Sequence, residues 1–104
     1  MSAEMVVIPK STHNVLRRLT GESRPDIALS MALKSLIHLR IEAVQANLAA
    51  YEKKYGMDFP AFEKAWQDGK IEDPYSYPVE MDYMEWEAAV SDLEELQDIL
   101  KWQA

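Results

Sequence analysis

Cysteine is absent from the 104 residues, which removes disulfides, thiolate metal ligands and cysteine nucleophiles from consideration and suits a reducing compartment. Glycine occurs only three times, leaving few loops that could cradle a phosphate, and there is no GxSxG elbow, Walker loop or GxGxxG turn. The two histidines, His13 and His38, have no ligand partner four residues on, so they read as surface or interface residues and not as zinc ligands. No apolar run approaches the about 18 residues of a membrane span, and the opening MSAEMVVIPK lacks the basic flank and apolar core of a secretory signal. The expectation is a cytoplasmic, non-enzymatic protein with no metal, no cofactor, no small-molecule substrate and no membrane association.

What is present is a globular composition, 48% hydrophobic and 28% charged, in a 12.0 kDa chain with room for one small core. The net charge of −7 conceals an asymmetry. Residues 1–56 hold eight Lys or Arg against five Asp or Glu, a net +3, whereas residues 57–104 hold three against thirteen, a net −10. Opposite polarity of this kind predicts two partners of opposite charge.

Met5-Val6-Val7-Ile8, β-branched and closed by Pro9, predicts one short strand. Ser11-Thr12 reads as a capping pair for a first helix carrying Val15, Leu16 and Leu19 and stopped by Gly21. Ser23 ahead of Arg24-Pro25-Asp26 reads as the cap of a second helix. From Asp26 to Tyr55 there is neither Gly nor Pro, and Leu29, Leu33, Ile37, Ile41, Val44, Leu48, Tyr51 and Tyr55 recur at steps of three or four. That pattern predicts a helix running to Gly56, about 45 Å long. A second stripe, Ile27, Met31, Leu36 and Leu39, makes its first half apolar on more than one face. A helical hairpin closed within one chain would account for this, but so small a chain gains most by sharing a core, and a homodimer is expected.

After Gly56, residues 58–66 predict a short amphipathic helix presenting Phe59, Phe62 and Trp66 and ended by Gly69. Residues 70–81, with two prolines and two tyrosines, predict an extended connection. Asp82 to Trp102 predicts a last helix with Tyr83, Trp86, Val90, Leu93, Leu96 and Leu100 on one side and Glu85, Glu87, Asp92, Glu94, Glu95 and Asp98 as a solvated acidic face. Phe59, Phe62 and Leu93 are assigned to the core. Tyr75 and Tyr77, set between prolines, are assigned to a partner.

The order of strand, helix, glycine turn and long helix over residues 4–40 resembles the ribbon-helix-helix family of dimeric repressors and antitoxins. The likeness rests on Val6-Val7-Ile8-Pro9-Lys10, on Val15, Leu16 and Leu19, on Gly21-Glu22-Ser23, and on Asp26-Ile27-Ala28 leading to Ala32-Leu33. The resemblance implies a mainly α, dimeric fold with one short N-terminal strand per chain, a long second helix and a C-terminal helical extension. It implies that two such strands pair and enter the major groove of operator DNA, Val6 and Ile8 facing the core and Met5 and Val7 facing the bases. Lys10, Arg17, Arg18, Ser23 and Arg24 would then meet phosphates.

The run Tyr51-Glu52-Lys53-Lys54-Tyr55-Gly56-Met57-Asp58-Phe59, then Trp66, then Asp82-Tyr83-Met84-Glu85-Trp86-Glu87, is similar to the acidic helical regions with which small prokaryotic type II antitoxins wrap a basic toxin, often a ribonuclease. The likeness divides the chain into a dimerisation and DNA-binding region, 1–50, and a partner-binding region, 51–104. Trp66, Tyr75, Tyr77, Tyr83, Glu85, Trp86, Glu87 and Asp92 become the toxin-contacting residues, the carboxylates imitating phosphates and the rings supplying contact area. The competing expectation is a helical dimeric interaction module that binds no DNA.

Overall fold

The structure, a computed structural model, describes residues 7–103. Four helices follow one another: α1, Lys10–Thr20; α2, Pro25–Tyr55; α3, Phe59–Gln67; and α4, Tyr77–Trp102. The chain is mainly helical, as expected, with no strand among the described residues. Of the segment expected to form one, Met5 and Val6 lie outside the described residues, and Val7, Ile8 and Pro9 adopt no regular structure. A single short β segment has no ladder partner within its own chain, so its backbone groups find none of the bonds that define a strand.

Glycines end the first two helices as the sequence predicts. Gly21 (φ 74°) donates its N–H to the Arg17 carbonyl at 2.8 Å, and Gly56 (φ 68°) donates to Glu52 at 2.7 Å; both are left-handed conformations that favour glycine. The helix starts differ from expectation. Pro9 occupies the cap of α1 and Arg24 that of α2, neither with a side-chain cap bond, so Ser11, Thr12 and Ser23 do not cap. Lys10 already belongs to α1, which places both hydroxyls of the Ser11-Thr12 pair inside the first turn. At α3 the cap is regular: Asp58 accepts from the Ala61 N–H at 3.0 Å.

Residues 70–81 are not the extended connection expected: residues 71–76 form bends and a turn, in which the Ser76 N–H donates to the Asp73 carbonyl at 3.0 Å. α4 begins at Tyr77, so Tyr77 to Met81 are helical. Pro78 sits in the first turn, where its missing N–H costs nothing and its fixed φ suits a helix, behind Ser76 at the cap position.

α4 packs along α2, α1 packs on the start of α2, and α3 packs on α4. Ala28 and Ile37, both buried, are nine residues apart and therefore on opposite sides of α2; α1 lies on the Ala28 side and α4 on the side of Ile37 and Ile41. α2 carries the chain across the boundary at residues 50 and 51 without a break. At the far end of α4, Gln103 Nε2 donates to Ser30 Oγ at 2.7 Å, so the chain terminus returns to the beginning of α2.

The molecule is a slab of 57 × 32 × 20 Å with a radius of gyration of 19.9 Å. A compact chain of this length has about 13 Å, and 20 Å is the thickness of only two helices. Several large apolar side chains are accordingly exposed: Val15 and Leu19 on α1, and Met31, Leu33, Leu36 and Leu39 on α2.

Candidate functional site

The C-terminal half is organised around Trp86, which with Phe62 is fully buried. Tyr51 and Tyr55 of α2 stack on its ring at centroid distances of 5.5 and 5.7 Å, and Phe59 and Phe62 of α3 close on it at 5.4 and 5.0 Å. Its indole N–H finds no acceptor among the described residues. Trp86, expected as a partner contact, is instead the centre of the core that joins three helices. The i, i+4 pair Tyr51 and Tyr55 puts two rings on one face of α2, and α4 supplies the indole between them.

Around this core, tyrosine hydroxyls are tied to carboxylates. Tyr55 donates to Asp82 at 2.6 Å, and Lys54 Nζ meets the same carboxylate at 2.5 Å. Tyr51 donates to Glu85 at 2.7 Å, and Tyr83 to Glu63 at 2.9 Å. The bond to Glu85, with burial and the charges of Glu85 and Asp82, pushes the Tyr51 hydroxyl up to about 12. Burial, followed by the bond to Asp82, raises Tyr55 further, and burial with the bond to Glu63 raises Tyr83. Burial opposes ionisation of Asp82, but the bonds from Lys54 and Tyr55 outweigh it and hold the carboxyl below its ordinary value.

Other expected contact residues lie at the rim of this core, where Trp66 and Tyr83 pack on Phe62 at 6.1 and 5.8 Å, or beyond it. Trp66 and Tyr83, both half-buried, line a hollow of about 300 Å³ with Glu80 and Met84. Tyr75, 81% exposed, stands edge-on to Trp66 at 6.2 Å, and Tyr77 is 75% exposed. Met84, which the sequence reading passed over, is exposed on the same outward face as Glu80 and Glu87; its helical register, three to four residues from each, was the available signal.

α4 presents Glu80, Glu87, Glu94 and Asp98 on its outward face, with Glu85 and Asp92 turned toward α2 and Glu95 beside them; all seven are exposed. Among the described residues none of these carboxylates forms an ion pair, the two salt bridges being Lys54–Asp82 and Arg24–Asp26. Asp92 and Glu95 instead line a cleft of about 410 Å³ between α2 and α4, with Arg40, Ala43, Val44, Leu96 and Ile99. Arg40 is the second residue that sequence reasoning missed.

At the opposite end, Lys10, Arg17, Arg18, Ser23 and Arg24 are all exposed, and Val7 is 87% exposed. Met5 lies outside the described residues. The turn between α1 and α2 is pinned by its own bonds. Thr20 donates to the Leu16 carbonyl at 2.7 Å and accepts from the Glu22 N–H at 3.2 Å, the Glu22 carboxylate accepts from the Arg24 N–H at 3.0 Å, and the His13 ring meets the Ser23 carbonyl at 3.0 Å. The Arg24 guanidinium is engaged by Asp26 at 3.4 Å. Among the described residues, the cations of this end without an ion-pair partner are therefore Lys10, Arg17 and Arg18 on α1.

No described helix is long and apolar enough to cross a membrane. The family model described as the uncharacterized protein MJ0235 family matches residues 6–102. No curated protein and no solved structure matches the chain.

Proposed function

The chain belongs to the uncharacterized protein MJ0235 family, and for it we propose the role of a non-catalytic, antitoxin-like adaptor of the cytoplasm. Two copies pair through the exposed apolar side chains of α1 and the first half of α2. The paired N-terminal ends bind operator DNA, and the acidic α4 face occupies the cationic cleft of a basic toxin-like protein, such as a ribonuclease.

The observation that carries this reading is the sorting of free charge. The carboxylates of the outward α4 face have no ion-pair partner among the described residues, while Lys10, Arg17 and Arg18 of α1, likewise without one among the described residues, share their end of the molecule with the exposed Val15, Leu19, Met31, Leu33, Leu36 and Leu39. Like charges held together on a rigid helix accelerate encounter with a surface of opposite sign. Trp66, Tyr75, Tyr77, Tyr83 and Met84 flank that face and supply the apolar contact that charge alone does not. Support for a ribbon-helix-helix is confined to the order of α1, a glycine turn and α2, since no strand forms among the described residues.

The competing reading, a dimeric interaction module without DNA binding, is favoured by two observations: Val7, at the position that would meet bases, is apolar, and Arg24 is already engaged by Asp26.

The test is paired. Tagged protein from its native host is assayed for a co-purifying basic protein, and the purified dimer for a shift of its own upstream DNA across a salt series. Capture together with a shift that weakens steeply with salt supports the antitoxin reading. Capture without a shift selects the module, and absence of both sinks the proposal.

A further inference from the structure

The cleft of about 410 Å³ between α2 and α4 is a surface feature that the charge sorting leaves unexplained. We infer that it belongs to the homodimer interface and is filled by the same cleft of a second copy, related by a two-fold axis. This rests on the dimer proposed above and extends it from the N-terminal end to the middle of the slab.

Continuity is the first argument. Leu33 and Leu36, 43% and 50% exposed, are followed at steps of three or four by Arg40 and Ala43, so the apolar strip of α2 runs directly into the cleft. Its lining there is Ala43, Val44, Leu96 and Ile99, the last 44% exposed. On the dimer proposed above, a strip covered at Leu33 and Leu36 has no reason to end at Arg40.

Charge is the second. Arg40 lines the cleft with Asp92 and Glu95 yet forms no ion pair with either. A two-fold interface is self-complementary, residue i of one chain meeting residue j of the other and the reverse. A surface bearing both signs meets that condition, each Arg40 facing the other chain's Asp92 and Glu95. A basic protein would instead be opposed by Arg40 in the cleft. Asp92 thereby leaves the set of toxin-contacting residues.

Area is the third. The chain exposes 8119 Å², whereas a folded monomer of this mass exposes about 6,000 Å². Obligate homodimers bury about 2,000–5,000 Å² over both partners, a range that the excess on two such chains falls within.

The experiment is a charge swap on the full chain, read by sedimentation equilibrium. Arg40→Glu places like charges opposite Asp92 and Glu95; Asp92→Arg with Glu95→Arg places like charges opposite Arg40. Each variant alone is expected to dimerise at least about tenfold more weakly than wild type, and an equimolar mixture to recover wild-type affinity as a heterodimer, since both contacts are then complementary. All three substitutions are at exposed positions, and circular dichroism verifies folding. Because the chain contains no cysteine, Ala43→Cys provides an independent readout: a short bis-maleimide cross-links two copies only if their clefts face each other.

Dimerisation of both swaps at wild-type strength with no Ala43→Cys cross-link overturns the inference while leaving the N-terminal dimer standing. Unchanged dimers that lose capture of the basic protein overturn it too, and give the cleft to that partner. A monomeric wild-type chain overturns both this inference and the proposed function.

Discussion

Tyr55 and Asp82 meet at 2.6 Å across 27 positions of sequence, and this contact, with Lys54 on the same carboxylate, fastens the end of α2 to the start of α4. It also makes the hairpin sensitive to pH in a direction that can be worked out. The tyrosine hydroxyls are raised from 10.0, Tyr51 to about 12. They therefore contribute stability that is complete below pH 10 and lost as pH rises through the folded values. Asp82 is lowered from 3.8; its contribution is present above that pH and lost as pH falls through the folded value. Urea midpoints across a pH series should form a plateau between these limits. Tyr51→Phe with Tyr55→Phe should flatten the alkaline fall, and an unchanged slope would disprove the assignment.

Trp86 and the exposed tyrosines should separate in stability measurements. Trp86→Ala empties the centre of the aromatic core and should cost about 3–5 kcal/mol. Tyr75→Ala and Tyr77→Ala should stay within about 0.5 kcal/mol of wild type while weakening capture of the basic partner. Chemical denaturation followed by far-ultraviolet circular dichroism checks the first pair of statements, and co-purification the last.

Charge reversal on α4 should act on binding and not on folding, provided the right carboxylates are chosen. Glu85 accepts the Tyr51 hydroxyl, so its reversal also disturbs the core rim. Glu87→Lys, Glu94→Lys and Asp98→Lys together should leave the urea midpoint nearly unchanged and abolish capture of a basic protein at low salt. Full retention of capture would rule out the electrostatic account.

Gly56→Ala should cost about 1 kcal/mol, and Gly56→Asn less, because Asn tolerates the left-handed conformation better. No atom lies within 4 Å of the position a Cβ would take, so the cost is conformational alone. A much larger loss in thermal denaturation would mean that the turn is held by contacts that the backbone does not reveal.

The ends of α1 and α2 were legible because Gly21 and Gly56 interrupt long periodic runs, and a left-handed stop is a local property. The helix starts were not. Ser11, Thr12 and Ser23 carry capping chemistry, but Pro9 and Arg24 take the cap positions, which depend on where the preceding chain turns. Pro78 suits both a chain break and a helix's first turn, and only the packing of α4 on α2 decides between these roles. The stripe of Tyr83, Trp86 and Leu93 was visible by spacing. That Trp86 is the core centre and Tyr75 the surface ring depends on which faces Tyr51 and Tyr55 of a distant helix cover. The paired carboxylates and hydroxyls around Asp82 and Glu85 follow from the same long-range packing and leave no local signal.

The bond from Gln103 to Ser30 completes a circuit: one continuous rod, α2, carries α1 and the N-terminal turn at one end and the aromatic core at the other, and α4 runs back along it to the start. On the proposed function, the site for nucleic acid and the acidic face would share that one rod, and a tilt of its first turns would be felt by both.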